Sequence, residues 1–263
     1  MSANTMFGNV ASTQVVLAQD LAAQIPSGMG ISPDEFDHST ALILTILHDD
    51  SGSMTGKNRG DPNQKVTNAQ LARDGHNAII QALKKSKQSK DVIVGSMTIN
   101  GRLVHAYMSI DDAPIINESH YDASNMNGTP YYDSVVVTLK RIAEKVVEYK
   151  QAGIPCRTIT ILITDGHDEH SQQFRAPEAV RPFVEERLGA EMDVVVAVGI
   201  ADGRTDFRDI FTRMGVQPDC IHTPGSSESE FRKTFLVLSQ STVTVSQAGA
   251  AGFSQAAAGG FGA

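Results

Sequence analysis

Residues 41–54 read ALILTILHDDSGSM. The first eight are apolar or β-branched apart from His48, and two carboxylates, two serines and a glycine then fill the next five positions. So uniform a run predicts a strand buried on both faces of a parallel sheet, and the break at Asp49 puts a polar loop at its carboxyl end. Two further runs read the same way, RTITILIT (157–164) and MDVVVAVGI (192–200), each bounded by Asp or Gly. A fourth, DVIVGSMTI (91–99), passes through Asn100-Gly101, a hairpin signal, into RLVHAYMSI (102–110).

Helical patterns separate these strands. Residues 67–87 open with Thr67 and Gln70 in capping-box spacing and put Ala72, His76, Ile79 and Leu83 on one stripe. Residues 130–153 begin with Pro at the first helical position and end at Gly153. Three more helices are expected at 177–190, 206–215 and 226–240. The alternation predicts an α/β, doubly wound, mostly parallel sheet with one antiparallel strand and helices on both faces. That domain spans 39–240, after an N-terminal extension (1–38) and before a low-complexity Ala/Gly/Ser/Gln tail (241–263).

The tail carries a quasi-repeat, SQAGAAGF (246–253) and SQAAAGGF (254–261). Its composition cannot bury enough surface to fold alone, so it reads as loose chain or as a docking segment using Phe253 and Phe261. A formal charge of -8 argues against a nucleic-acid partner. No run approaches a membrane span, and the start MSANTMFGNVASTQ lacks the basic and apolar parts of a secretory signal. The expected location is cytoplasmic. Cys156 and Cys220 show no metal-ligand spacing and read as buried free thiols.

The polar loop admits three readings. GSMTGKN is superficially similar to a phosphate-binding loop, but only three residues separate Gly52 from Gly56, and Asn58 stands where a hydroxyl is needed. A plain turn is the second. The third is a metal site: Asp49, Ser51 and Ser53 alternate, so on an extended loop their oxygens converge, and such hard ligands suit Mg²⁺, Mn²⁺ or Ca²⁺. Two other strand or helix ends strengthen it, Thr129 in NGTPYYD before a helix and Asp165 in ILITDGH after a strand. In open α/β sheets, ligands gather at the carboxyl ends of strands around the topological switch point.

The three segments DDSGSM, GTP and TDG, in this order and at these separations, resemble the von Willebrand factor A (VWA) family. The resemblance covers about residues 38–240. It implies a metal-ion-dependent adhesion site built from Asp49, Ser51, Ser53, Thr129 and Asp165, holding Mg²⁺ (or Mn²⁺ or Ca²⁺). It also implies that a protein partner's Asp or Glu completes the ion's coordination, as the last helix shifts. Asp49, Ser51 and Ser53 would then hold the metal directly, Thr129 in the partner-bound state, and Asp165 directly or through water. The tail and the ARDGHNA helix resemble stand-alone bacterial VWA proteins, such as those in tellurium-resistance and kinase/phosphatase gene neighbourhoods. The role so implied is a non-enzymatic interaction module in a stress or signalling complex.

Two other classes stay open. A Lewis-acidic ion beside His167, Asp168, Glu169 and His170 would suit a metal-dependent hydrolase, and His167 and His170 could hold a second, softer metal; HDEH otherwise reads as a solvated acidic rim. Alternatively, the terminal extensions tie copies of the chain together as an assembly subunit. His48 and His76 read as packed structural histidines, and Asp50 as facing away from the ligand direction.

Overall fold

The run 41–48 is a strand, β1 (Ala41–His48), buried along its whole length. The computed structural model describes residues 30–35, 40–56, 65–123, 128–189, 193–224 and 228–247. In it β1 has a parallel neighbour on each side, β2 (Val92–Thr98) and β4 (Cys156–Thr164). β3 (Leu103–Ser109) folds back antiparallel on β2 through the turn at Asn100-Gly101. β5 (Asp193–Gly199) lies parallel on β4, and β6 (Ile221–His222) parallel on β5. The order β3-β2-β1-β4-β5-β6 is the expected doubly wound sheet with one antiparallel edge strand. The two-residue β6 was not foreseen, because a segment so short carries no periodicity.

From β1 the chain crosses towards β2, whereas from β4 it crosses the other way, towards β5. Right-handed crossovers in opposite directions put their helices on opposite faces. Helix α1 (Asn68–Lys84) packs with α5 (Glu228–Gln247) on one face. Helices α2 (Tyr131–Gln151), α3 (Pro177–Leu188) and α4 (Phe207–Arg213) form the other layer. The carboxyl ends of β1 and β4 therefore flank the switch point.

Local chemistry sets the helix ends. The Thr67 hydroxyl accepts from the Gln70 N–H at 3.2 Å, as the capping box requires. The Gln70 side chain is turned forward along the helix instead of back to Thr67: its Oε1 accepts from Arg73 at 2.7 Å and its Nε2 donates to Asp74 at 2.8 Å. The expected stripe on α1 is fully buried at Ala72, His76, Ile79 and Leu83. Helix α2 starts one residue later than expected, with Pro130 as its N-cap.

Helix α5 runs seven residues past the expected boundary at 240, to Gln247. The stretch STVTVSQ is poor in helix formers, yet its hydroxyls turn back onto the helix's own carbonyls. Thr242 Oγ1 donates to Leu238 O at 2.7 Å and Ser246 Oγ to Val243 O at 2.6 Å. Satisfied in this way, Thr242 and Ser246 can be buried without unpaired polar atoms.

On the far edge Ile31 is tied to β3. Its N–H donates to Tyr107 O at 2.9 Å, and its carbonyl accepts from Lys145 Nζ at 2.8 Å and from the Tyr149 hydroxyl at 3.0 Å. The expected boundary near 38, most of the N-terminal extension and both copies of the quasi-repeat lie largely outside the described residues. Cys156 and Cys220 are buried free thiols, as expected. Among the described residues no helix is long and apolar enough to cross a membrane.

Candidate metal centre

Asp49 leaves the end of β1 and Asp165 the end of β4, on either side of the switch point. The loop after Asp49 turns at once into a 3-10 turn, Gly52–Thr55. That tight turn brings both serine hydroxyls back over the strand ends. Ser51 Oγ lies 2.9 Å from Ser53 Oγ, and Ser53 Oγ donates to Asp165 Oδ1 at 2.6 Å. Asp49 Oδ1 accepts from the Ser51 N–H at 2.8 Å, and its Oδ2 from Thr164 Oγ1 at 2.6 Å. Four of the five sequence-predicted oxygen residues thus form one bonded cluster.

Two residues not singled out from sequence complete it. Asn68, the first residue of α1, donates its side-chain amide to Asp165 Oδ2 at 2.8 Å. Tyr121 donates its hydroxyl to the main-chain carbonyl of Asp49 and stacks its ring at 4.8 Å on His48. No local pattern marks either position as part of the site.

Both carboxylates are buried, and among the described residues their hydrogen-bond partners are all neutral. Burial, and then the negative charge of Asp165, push the Asp49 carboxyl up to about 7 against hydrogen bonds from Ser51 and Thr164. Burial likewise raises Asp165, with the charge of Asp202 adding to it and Ser53 and Asn68 opposing it. Two like charges close together in a weakly polarisable interior disfavour each other's ionised form. A cation between them removes that cost.

The donor set is oxygen alone. Among the described residues no three His, Cys, Asp or Glu side chains gather into a metal-holding group. Any ion here would be held by two carboxylates and hydroxyls, which fits Mg²⁺, Mn²⁺ or Ca²⁺ better than zinc.

A cavity of about 580 Å³ opens over the cluster. Ser51, Ser53, Asn68, Thr129 and Asp165 are among the residues that line it. Asp49 lies beneath, fully buried, and is not part of the wall. Thr129 joins the other four as a wall of this cavity.

The loop after β4 is more than a solvated rim. Asp168 Oδ2 accepts from the Tyr132 N–H at 2.9 Å and Ser171 Oγ from the Asp133 N–H at 2.9 Å. Asp168 and Ser171 thereby satisfy the free N–H groups at the start of α2 from outside the helix. Asp133 returns the tie, accepting from the N–H groups of Gln172 at 2.7 Å and Phe174 at 2.7 Å. His167 and Glu169 are exposed on the rim, 3.7 Å apart. His170 is exposed as well, but its ring is held: Nδ1 accepts from the Thr129 N–H at 3.0 Å.

Asp50 points away from the cluster, as expected, and accepts from the Asn100 amide at 2.8 Å. His48 is fully buried, with Nε2 3.1 Å from His76 Nδ1. The two packed histidines read separately from the sequence are therefore partners. Burial holds both well below the ordinary histidine range, His48 at about 3.

No family model matches the chain, and no curated protein matches it. Solved structures share its architecture. Proximal thread matrix protein 1 from the mussel byssus aligns over 76% of this chain and 46% of its own, with a TM-score of 0.51 and 18% identity. The pilus adhesin SpaC from Lactobacillus rhamnosus GG aligns over 79% of this chain and 30% of its own, with a TM-score of 0.52 and 13% identity. The PilB minor pilin from Streptococcus sanguinis aligns over 79% of this chain and 62% of its own, with a TM-score of 0.53 and 11% identity. The chain thus spans less than two thirds of the length of each, and the likeness is one of fold.

Proposed function

We propose that the chain is a VWA-type interaction module whose site takes a divalent cation, Mg²⁺ first among candidates, and through it an acidic side chain of a protein partner. One observation carries the reading. Loops 112 residues apart in sequence bring Ser53 and Asp165 into contact at the switch point, above a second carboxylate whose hydrogen-bond partners among the described residues are neutral. Ser51, Ser53 and Asp165 are the wall residues that would hold the ion, with Asp49 buried and Thr129 lining the same cavity. A bound divalent cation would supply positive charge with a coordination position open to an outside carboxylate.

The chain's own part is to keep these oxygens in place without filling them. Asn68 and Thr164 each occupy a carboxylate lone pair from behind. Asn68 also begins α1, along which α5 lies, with Phe235 against Gly75 and Arg232 3.2 Å from Asp74. Coupling between the site and the helix that leads into the tail would run along this contact, a two-state device if α5 has two seatings.

The test is affinity capture with immobilised full-length chain in Mg²⁺, followed by elution with EDTA. The reading expects a partner released by EDTA and not retained by a Ser51→Ala/Ser53→Ala variant. Capture that persists unchanged in EDTA contradicts it. A panel of phosphate esters assayed with Mg²⁺ or Mn²⁺ tests the hydrolase alternative, which requires turnover that Asp49→Ala abolishes.

A further inference from the structure

Thr129 and His170 hold each other from both directions. The Thr129 N–H donates to His170 Nδ1 at 3.0 Å, while Thr129 O accepts from the N–H groups of Glu169 at 3.2 Å and His170 at 3.3 Å. Gly128 makes room for the ring: a Cβ there would lie 2.5 Å from two of its atoms, and the backbone adopts φ +85°. The imidazole is thus seated on main chain, and its position does not depend on another flexible side chain.

This contact has a chemical consequence. A backbone N–H can only donate, so Nδ1 must offer its lone pair, and the neutral ring carries its proton on Nε2. Nε2 has no hydrogen-bond partner among the described residues, and His170 lines the cavity over Ser53 and Asp165. A ring fixed at Nδ1, with Nε2–H left to donate, thus lines the same cavity as the oxygens that would hold a cation.

We propose that His170 is a second anchor for the partner, its Nε2–H donating to an oxygen of the acidic side chain that enters the site. This rests on the metal-site reading above. Discrimination follows from it: a carboxylate has two oxygens, one for the ion and one for His170. A hydroxyl has a single oxygen to offer, so it gains little from the second contact. His170 thereby selects an acid over a neutral oxygen ligand.

The experiment uses the full chain loaded with Mn²⁺, and two probes, N-acetyl-glutamate N-methylamide and N-acetyl-serine N-methylamide. Binding of each is read from the change in water-proton relaxation by the bound Mn²⁺. In His170→Asn the shorter side chain keeps an acceptor for the Thr129 N–H but has nothing at the Nε2 position. Its Mn²⁺ affinity should match wild type, while the glutamate probe binds about tenfold more weakly and the serine probe is unaffected. Unchanged glutamate binding by Mn²⁺-loaded His170→Asn overturns the inference alone. A wild-type chain that takes up no Mn²⁺ overturns the metal-site reading and this inference together. Mn²⁺ uptake without glutamate binding in the wild type overturns the acid-anchor role.

Discussion

The Ser53 hydroxyl donates to the Asp165 carboxylate at 2.6 Å, joining the loop after β1 to the loop after β4. That bond spans the switch point of the sheet, and the chemistry assigned to the site follows from what surrounds it. Asp165 repels Asp49, and neither carboxylate has a cationic hydrogen-bond partner among the described residues.

Asp165→Asn should therefore have opposite effects in the absence and presence of cation. Without metal, removing one of two buried like charges stabilises the fold by about 1–3 kcal/mol at neutral pH. The Asn68 amide can turn to offer its oxygen to the new side chain. With excess Mg²⁺ the wild-type chain gains stability by mass action and the variant does not. Urea denaturation in EDTA and in Mg²⁺ measures both; a variant less stable than wild type in EDTA contradicts the argument.

Gly75→Ala should destabilise the protein, although Ala is the better helix former by about 1 kcal/mol. A Cβ at this position would lie 2.2 Å from the Phe235 ring, so α5 must move away from α1. A net loss of about 1–3 kcal/mol is expected, as for other overpacked contacts. Pairing it with Phe235→Leu in a double-mutant cycle should recover part of the loss, because the two residues touch. Full additivity in the cycle would show that they do not communicate.

Much of this was legible in the sequence. The runs at 41–48 and 157–164 are uniform and end abruptly, so both strands and both polar loops could be placed, with Asp49, Ser51, Ser53 and Asp165 at those ends; Thr129 comes instead from the helix mouth before Pro130. What escaped depends on contacts between distant segments. Asn68 reads as an ordinary helix start until Asp165, 97 residues later, is folded against it. The His170 contact with Thr129 spans 41 residues, and nothing within HDEH separates the capping Asp168 from the exposed Glu169. The end of helix α5 is hidden in the sequence because Ser and Thr are poor helix formers, and only the folded chain shows their hydroxyls bonding the helix's own carbonyls.

Acid should destabilise the protein through His76. Burial, with His48 and His105 nearby, keeps its folded-state pKa well below 6.5. The unfolded chain therefore takes up a proton that the native state refuses, and stability present above pH 6.5 is lost as pH falls below it. Each such histidine contributes a slope of about 1.4 kcal/mol per pH unit. His76→Gln should remove one histidine's share, so that wild type and variant converge in stability, or cross, between about pH 6 and 4. Denaturation curves in EDTA at several pH values read this difference, in which the carboxylates common to both proteins cancel. Parallel pH profiles would count against it.

Among the described residues Asp133 has no hydrogen bond to the proposed ion ligands, yet its carboxylate accepts from the N–H groups of Gln172, Gln173 and Phe174. Asp133→Ala should cost about 1–3 kcal/mol of stability. It should also weaken binding of the glutamate probe by loosening the loop that carries His170. Hydrogen exchange over 166–174 would rise selectively. Exchange increased uniformly across the chain would point to general destabilisation instead.

The most direct measurement is calorimetric titration of Mn²⁺ and Mg²⁺ into the EDTA-stripped, full-length chain. The account predicts saturable binding of one ion per chain, abolished in Asp165→Ala and in Ser51→Ala/Ser53→Ala while both variants stay folded. Absence of binding by the wild type, or binding that survives in both variants, would contradict it.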